Sequence, residues 1–312
     1  MPKIMPNWEE IEFKDKFVER YKELTDFEKF KEYSLSYLRR SIRVNTLKIS
    51  PEKLIPRLEK KHYKLTKIPF TYLGYYIEGD QLDIGNLPEH ALGYFYVQEA
   101  ASMLPPLALE PKKHEFVLDI AAAPGSKTTQ ISALMENTGI IIANDINYLR
   151  LKPLSINTER CGCKNIIFTI SRGQNIKNMQ FDKILLDAPC SGTGSIAKSL
   201  GTLQIYNTEM IKKLARDQKR LILNAYNLLK PKGTLVYSTC SLEPHENEAV
   251  VDHLLKNTDA RLKEINIKNL KRSQAILNFE KESYSKEIKK GLRIWPQDNN
   301  TEGFFVAKIT KP

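Results

Sequence analysis

Charged and apolar residues alternate at the spacing of a helix in the first part of the chain. This pattern covers residues from about 8 to 40. One stripe of the predicted helical face contains Trp8, Phe13, Phe17, Tyr21 and Leu24. The pattern predicts a small helical segment ahead of the first strand.

Strand-like and helical patterns alternate irregularly between residues 41 and 97. A β-prone run covers 41–47, and Ser50-Pro51 forms an N-cap and first-turn pair that begins an amphipathic helix. Aromatic, β-prone pieces follow at 70–76 and 94–97. These elements predict a small α+β region, and with the helical segment we expect it to form an N-terminal domain over residues 1–95.

A regular alternation of strands and helices begins at about residue 98. The predicted strands are 116–119, 139–143, 166–168, 183–186, 234–237 and 303–308, and the predicted helices are 127–135, 147–156, 208–229 and 246–255. Such alternation is typical of an α/β domain with a mainly parallel sheet that helices cover on both faces. We expect this second domain to span residues 96–312.

Composition excludes several classes of protein. No apolar run approaches the ~20 residues of a membrane span, and the first residues lack the apolar core of a signal peptide, so we expect a cytoplasmic protein. The four cysteines then stay reduced. Cys161-Gly162-Cys163 lacks the C-x2-C spacing and the second ligand pair of a zinc site, so we expect no metal and interpret both thiols as packing residues beside a turn.

The charge balance is strongly basic. The 48 Lys and Arg residues exceed the 37 Asp and Glu residues, which gives a net charge of +11. Basic residues concentrate between 39 and 67 and again between 261 and 293. Such an excess indicates a polyanionic partner, because Lys and Arg gain affinity when they neutralise phosphates. For each run taken alone, a solvated face is an equal alternative.

A polar ligand site is predicted where the strand at 116–119 meets a helix, in Asp119-Ile-Ala-Ala-Ala-Pro-Gly-Ser-Lys-Thr128. The loop is not a Walker loop, because position 121 holds Ala and Ser126 precedes Lys127, and no G-x-G-x-x-G is present. Small residues here, with Asp145 after the next strand, indicate a nucleoside cofactor whose ribose hydroxyls bond that carboxylate. S-adenosylmethionine and NAD both fit, and Asp145 as a helix N-cap is an equal alternative.

Two cysteines each follow a short apolar run. Cys190 lies four residues after the run 183–186, and Cys240 lies three residues after the run 234–237. Open α/β sheets bind ligands beyond the carboxyl ends of their strands, so both thiols are expected to face one substrate. The alternative is that they are two small buried hydrophobic residues.

Three motifs identify a family when they are taken together: the cofactor loop, Asp187-Ala-Pro-Cys-Ser-Gly-Thr-Gly194, and Ser238-Thr-Cys-Ser-Leu-Glu-Pro-His-Glu-Asn-Glu248. With these motifs the chain resembles the Sun/Nop family of RNA cytosine-5 methyltransferases. The similarity extends to Arg43-Val-Asn-Thr-Leu-Lys48, Tyr96-Val-Gln-Glu-Ala-Ala-Ser102 and Gly303-Phe-Phe-Val-Ala-Lys308. The resemblance implies a Rossmann-like methyltransferase domain preceded by an RRM-like RNA-binding domain, with S-adenosylmethionine as cofactor and tRNA or rRNA as substrate.

The resemblance also implies a role for each catalytic candidate. Cys240 matches the nucleophile that adds to cytosine C6, which makes C5 reactive toward the methyl group. Cys190 matches the cysteine that assists release of the methylated product. Asp187 would bond the cofactor side or the cytosine amine and N3, and Lys127 matches the lysine that holds the cytosine ring.

The resemblance assigns the cofactor to the loop and to the next strand end. The implied cofactor residues are Ala121, Ala122, Ala123, Pro124, Gly125, Ser126 and Lys127 around the methionine, Asp145 on the ribose, Arg150 one turn later, and Asp187. Many relatives carry an acidic adenine ligand where this chain has Ser171-Arg172-Gly173, so none is assigned. The segment Ser195-Ile-Ala-Lys-Ser-Leu200 also departs from the basic and proline residues of relatives, so no local RNA contacts are assigned there.

How Cys240 loses its proton is not evident from the sequence. His245 is one candidate base, although a histidine at a helix start is more often a surface capping residue. Two other functions compete with RNA methylation: a DNA cytosine methyltransferase, whose nucleophile lies in a Pro-Cys motif alone, and a non-catalytic RNA-binding or ribosome-assembly factor. We expect a monomer.

Overall fold

Two large sheets and a two-stranded ribbon form the framework of the computed structural model, which describes residues 2–79 and 83–312. The strands are β1 (Ser41–Val44), β2 (Lys64–Lys67), β3 (Gly74–Glu78), β4 (Phe95–Val97), β5 (Phe116–Asp119), β6 (Ile140–Asp145), β7 (Ile166–Ile170), β8 (Phe181–Asp187), β9 (Leu229–Thr239), β10 (Arg261–Lys263), β11 (Asn278–Phe279), β12 (Glu282–Ser283), β13 (Leu292–Ile294) and β14 (Phe304–Thr310). The α-helices are α1 (Asp15–Leu24), α2 (Phe27–Ser34), α3 (Pro51–Glu59), α4 (Pro88–Ala91), α5 (Leu104–Leu109), α6 (Ser126–Leu134), α7 (Tyr148–Cys161), α8 (Gly201–Ile205), α9 (Thr208–Asn227), α10 (Glu248–Asn257) and α11 (Pro296–Asn299).

The smaller sheet is antiparallel, with the order β2-β3-β1-β4, and α3 packs Leu54 and Leu58 against it. Strand β1 is shorter than the predicted 41–47, because the Asn45 side chain accepts a hydrogen bond from the Leu47 backbone and starts a turn. Strand β3 likewise begins only at Gly74. The predicted division at 95 and 96 stays a prediction, and residues 1 and 80–82 of the first range lie outside the described residues.

The larger sheet has the order β10-β14-β9-β8-β5-β6-β7, with β13 paired to β14. Strands β5 to β9 are mutually parallel, whereas β14 runs antiparallel between β9 and β10. Successive residues of β5 point to opposite faces: Val117 packs with α5 and α6, and Leu118 packs with α9 and α10. The predicted α/β class, with a Rossmann-like, mainly parallel sheet between helical layers, is confirmed.

The N-terminal helices pack on the second part of the chain rather than on the smaller sheet. Phe17, Tyr21 and Phe30 form a buried cluster with Leu242 and Trp295. The predicted helical segment is divided, because Asp26 caps a new helix by accepting a hydrogen bond from the Lys29 backbone. Helix α1 is therefore attached to the loop that follows β9.

Arg43 connects the smaller sheet to α6. Its side chain is fully buried, and its Nε donates to Gln98 Oε1 at 2.7 Å. Its Nη2 donates to Thr129 Oγ1 at 2.9 Å and to the Ser126 carbonyl at 3.3 Å, both in the first turns of α6. Strand β1 thus holds the start of the helix that follows the predicted cofactor loop.

None of the helices in the described ranges is long and apolar enough to cross a membrane.

Candidate active site

The two cysteine loops lie side by side because β8 and β9 are parallel neighbours. Asp187 pairs with Ser238 at the carboxyl ends of these strands. The chain then continues to Cys190 on one side and to Cys240 on the other, and the two sulfur atoms are 3.4 Å apart. The sequence predicted only that both thiols face one substrate at the carboxyl ends of the strands, and the structure brings their sulfur atoms together there.

The buried Glu246 carboxylate connects the two cysteine loops through hydrogen bonds. Glu246 accepts hydrogen bonds from the Ser191 backbone at 3.0 Å and from its hydroxyl, from the Ser241 hydroxyl at 2.6 Å, and from the Gln218 amide at 3.0 Å. Burial raises the pKa of Glu246, whereas these donors favour the charged form. The predicted helix over 246–255 consequently starts later, at Glu248, because the residues before it serve the loops.

Gly194 completes the joint between the loops. Its backbone NH donates to the Cys240 carbonyl at 2.8 Å, and its own carbonyl accepts from Gly303 at 2.9 Å. A Cβ atom at position 194 would lie 2.3 Å from the Gly303 carbonyl oxygen, so only glycine permits this approach. Backbone hydrogen bonds thereby hold together the Cys190 loop, the Cys240 loop and the segment before β14.

The two thiols differ in acidity. The hydrogen bond between them lowers the pKa of Cys240, against burial and nearby carboxylates. The same bond, together with burial, raises the pKa of Cys190 well above its usual value. Cys240 is therefore the more acidic thiol of the pair and the one more readily converted to the nucleophilic thiolate.

Lys127 and Asp187 form an ion pair beside the thiols. Lys127 Nζ lies 2.7 Å from Asp187 Oδ2, and Asp187 Oδ1 accepts a hydrogen bond from the Ser238 hydroxyl at 2.7 Å. Burial acts to lower the pKa of Lys127, but the charge and hydrogen bond of Asp187, together with Cys240 and Asp119, outweigh burial, so the pKa is raised. Lys127 stays charged within range of Cys240, which favours a thiolate there.

The predicted cofactor loop turns sharply between β5 and α6. Gly125 adopts a φ of 104°, which is a conformation that glycine tolerates, and it caps α6. The Ala122 backbone donates to the Asn144 carbonyl at 2.8 Å, and the Ala123 backbone donates to Asp145 Oδ2 at 3.3 Å. The loop is held against the end of β6, so its small residues can approach a ligand closely.

Asp145 is buried and faces the cofactor loop. Besides the Ala123 backbone, it accepts a hydrogen bond from the Asn147 backbone at 3.1 Å, and Arg150 Nη1 lies 3.4 Å from Oδ2. The Arg150 Nη2 also donates to the Ala123 carbonyl at 2.8 Å. The interpretation of Asp145 as the helix cap is wrong, because the Asn147 side chain caps α7 by accepting from the Leu149 backbone at 2.9 Å.

A cavity of about 670 Å³ opens at the ends of β5, β6 and β7. Of the predicted cofactor residues, Ala121, Asp145 and Arg150 line it, whereas the rest of the loop forms no part of its wall. Wall residues that the sequence did not assign to the cofactor include Ser171–Asn175, after β7, and Lys213, Asp217 and Arg220 on α9. The position of Ser171–Asn175 after the next parallel strand is the signal that could have found them, whereas no such signal marks the residues on α9. The volume and the mixed apolar and polar wall suit a nucleoside ligand.

His245 lies away from the thiols. Its Nδ1 is 2.8 Å from Arg20 Nη2, and its Nε2 is 3.6 Å from Glu280. Burial and the Arg20 charge lower the pKa of His245. The expectation of a surface capping residue is wrong, because the side chain is largely buried between α1 and the β11–β12 ribbon.

The remaining cysteines agree with their predicted packing role. Cys161 is buried at the end of α7, and Gly162 follows with a left-handed φ of 73°. Among the residues that the structure describes, no group of three His, Cys, Asp or Glu side chains is arranged to hold a metal ion.

Comparison with known sequences and structures places these motifs in one family. The family model for 16S rRNA methyltransferase RsmB/F matches residues 106–310, and that for the N-terminal domain of 16S rRNA methyltransferase RsmF matches residues 13–100. The chain is 46% identical to the tRNA (cytosine(49)-C(5))-methyltransferase of Pyrococcus abyssi over 95% of this chain and 96% of that protein. It is 42% identical to the ribosomal RNA small subunit methyltransferase F of Vibrio campbellii over 88% of this chain but only 57% of that protein.

Solved structures agree with the sequence comparisons. A methyltransferase homolog protein from Pyrococcus horikoshii superposes with a TM-score of 0.88 at 38% identity, covering 99% of this chain and all of that one. NSun6 from Pyrococcus horikoshii, crystallised with SFG, superposes with a TM-score of 0.84 at 27% identity over 96% of this chain and 98% of that one. The chain therefore belongs to the RsmB/F family of S-adenosylmethionine-dependent RNA methyltransferases, which is the Sun/Nop family that its motifs resemble.

Proposed function

We propose that this chain methylates C5 of a cytosine in tRNA through a covalent Cys240–C6 adduct. The observation that carries the mechanism is the pair of sulfur atoms 3.4 Å apart, with the Lys127–Asp187 ion pair beside them. The near-complete overlap with an archaeal tRNA methyltransferase favours tRNA, whereas the relatives named for ribosomal RNA extend well beyond this chain.

The chain's own residues perform the following steps in this proposal. The Cys240 thiolate adds to C6 and leaves an enamine, whose C5 carbon is the nucleophile. S-adenosylmethionine, when bound, supplies the electrophilic methyl group. A base then removes the C5 proton, the C6–S bond breaks, and Cys190 assists this release. Asp187 and Lys127 hold the cytosine so that charge developing on the ring is stabilised.

The cavity beside Asp145 is the proposed cofactor site. Ala121 and Asp145 line this cavity, and Asp145 would accept hydrogen bonds from the ribose hydroxyls, whereas the loop from Ala122 to Lys127, outside the cavity wall, would surround the methionine part. Arg150 fixes the loop through the Ala123 carbonyl. The adenine would lie against the residues that follow β7, which supply polar backbone groups and a small residue, Gly173.

Replacing Asp145 with asparagine is expected to weaken S-adenosylmethionine binding about tenfold to a hundredfold, because hydrogen bonds to a charged acceptor contribute about 1.5–3 kcal/mol. Arg150→Ala should cost less, since its guanidinium is half exposed and acts through the loop. Isothermal titration with the cofactor gives both values, and Asp15→Asn, on α1, is the control. An unchanged affinity in Asp145→Asn would refute the ribose assignment.

The overall proposal is tested by methylation of RNA from a strain that lacks the gene. Purified protein with labelled cofactor should transfer the methyl label to the tRNA fraction, at one cytosine position that bisulfite sequencing identifies. The Cys240→Ala variant should transfer no label. Labelling of ribosomal RNA alone would overturn the tRNA assignment, and labelling of DNA would favour the DNA enzyme. No labelling in any fraction would favour the RNA-binding factor.

The net charge of +11 supports an RNA partner. A tRNA substrate fits the cytoplasmic location and the monomeric state predicted above, and it fits an N-terminal domain over 1–95 that binds RNA ahead of a catalytic domain over 96–312. These finer assignments stay predictions.

A further inference from the structure

Strand β7 forms one edge of the larger sheet, and within the described part of the chain it pairs with β6 alone. The Ser171 backbone, directly after β7, donates to the Asp145 carbonyl at 3.3 Å. Because alternate residues of a parallel strand bond the same neighbour, the odd-numbered residues of this strand bond β6. The backbone NH and carbonyl groups of Ile166, Phe168 and Ile170 therefore point outward from the sheet.

Two other edge strands show how this chain protects such edges. Strand β10, at the opposite edge of the same sheet, is three residues long and includes Arg261 and Lys263, and β2 of the smaller sheet has a lysine at each end. Charged side chains on a short edge strand disfavour pairing with a further strand. Strand β7 has five residues, Ile-Ile-Phe-Thr-Ile, with neither a charge nor a proline. Its edge is therefore open to another strand.

The side chains of β7 are apolar and exposed on both faces of the strand. The exposed fraction is 51% for Ile167, 39% for Phe168 and 53% for Ile170. Ile166 packs beside Leu154 of α7, so Phe168 and Ile170 project on the α7 face, whereas Ile167 projects on the other face. An added strand would gain backbone hydrogen bonds at this edge and apolar contacts on either side of it.

The charges around this edge are almost all positive. Between residues 146 and 180 the chain has six Lys and Arg residues and a single acidic residue, Glu159. Lys164 lies just before β7, and Arg172, which also lines the cofactor cavity, lies just after it; both are exposed. Each end of the apolar strand thus has a positive charge that a carboxylate would complement.

We propose that β7 binds a strand of a partner protein, with apolar side chains in its centre and carboxylates at its ends. The backbone of that strand pairs with the outward NH and carbonyl groups of β7. Its apolar side chains pack against Ile167, Phe168 and Ile170, and its carboxylates lie near Lys164 and Arg172. This docking edge goes beyond the proposed function and does not depend on it.

A second copy of this chain and an RNA both fit the edge less well. Antiparallel pairing of two copies about a twofold axis at Phe168 would place Lys164 of one copy opposite Arg172 of the other, and each copy has a net charge of +11. An RNA backbone would meet the basic residues, but its phosphates donate no hydrogen bonds to the outward carbonyl groups and cover no apolar side chains. An acidic polypeptide strand satisfies the backbone groups, the apolar side chains and the charges together.

The test uses the full chain and a fluorescein-labelled peptide in which alternating valine and threonine residues are flanked by two glutamates on each side. Fluorescence anisotropy should show saturable binding. Replacing the glutamates with lysines should weaken it at least about tenfold, because attraction becomes repulsion. Methylation of the peptide's alternate backbone nitrogens should weaken it by a similar factor, because it removes the donors to β7. Hydrogen exchange at residues 166–170 should slow when the acidic peptide binds.

Matched variants locate the peptide on the protein. Phe168→Asp and Ile170→Asp should each weaken binding at least about tenfold, whereas Ile205→Asp, at a similarly exposed position on α8, should bind as wild type. Joint exchange of Lys164 and Arg172 for glutamate should reverse the preference to the lysine-flanked peptide.

Several results would overturn the docking edge. They are no saturable binding, equal binding of the two peptides by the wild type, or unchanged exchange at residues 166–170. A dimer in sedimentation that Phe168→Asp dissociates would assign the edge to a second copy, and a loss of tRNA affinity in Phe168→Asp but not in Ile205→Asp would assign it to RNA. Peptide binding needs neither RNA nor cofactor, so it decides the docking edge even where methylation of tRNA fails.

Discussion

Replacing Cys190 with alanine is expected to leave the protein covalently attached to its RNA, whereas Cys240→Ala should form no adduct. Cys240 carries the more nucleophilic sulfur and would bond C6, and the Cys190 sulfur lies 3.4 Å away, close enough to assist release. Turnover should fall on the order of 10³-fold or more in both variants, since each lacks an essential step. A denaturing gel after incubation with cofactor and RNA separates the two outcomes.

The double variant and a distant cysteine complete the adduct experiment. Cys190→Ala combined with Cys240→Ala should form no adduct, because attack precedes release. Cys163→Ala, at the turn after α7, should turn over as wild type, since that thiol is far from the strand ends. An adduct in Cys240→Ala and none in Cys190→Ala would reverse the two assignments.

Loss of the Lys127–Asp187 ion pair should produce the second large effect. Asp187→Asn or Lys127→Ala is expected to lower the rate of single-turnover methylation about 10²- to 10³-fold, the cost of removing one group that stabilises developing charge. Each single change also leaves the other charge of a mostly buried pair without its partner. Rapid-quench measurement at saturating cofactor gives the rate of the chemical step.

A surface ion pair offers the matched control. Lys113 lies 2.7 Å from Glu136 with both side chains more than half exposed, so Lys113→Ala should leave the rate unchanged. Lys127 and Asp187 act together, so the double variant should be only slightly slower than either single one. Effects that multiply in the double variant would show that the two groups act independently.

The strand-end rule made the central part of the site predictable. Each apolar run marked a buried parallel strand, and parallel strands end at one edge, so Cys190, Cys240 and Asp145 were placed at that edge from the sequence alone. Strand β9 and helix α9 differ from their predictions only at their ends. The motif resemblance then distinguished two thiols that periodicity alone leaves equivalent.

Groups that reach the site from outside this pattern were not predictable. Glu302 comes beside the Cys240 loop because β14 inserts antiparallel beside β9, about 60 residues later in the chain, and no local periodicity reports such a pairing. The wall residues on α9 face the cavity from an amphipathic helix whose polar face resembles any solvated one. Arg20 and Glu243 are likewise more than 200 residues apart in the sequence, yet Arg20 Nε donates to Glu243 Oε2 at 2.7 Å.

Because Arg43 of β1 bonds the start of α6, the N-terminal part cannot be removed or exchanged without affecting the second part of the chain. A chain without its first 95 residues would lose the Arg43 hydrogen bonds to Thr129 and to the Ser126 carbonyl, at the start of the helix that carries Lys127. Exchanging the N-terminal part with that of a relative, in order to redirect the choice of RNA, would succeed only where the new part brings an arginine to the same place. A new N-terminal part would thus change the alignment of the reacting groups together with any RNA contacts that it brings.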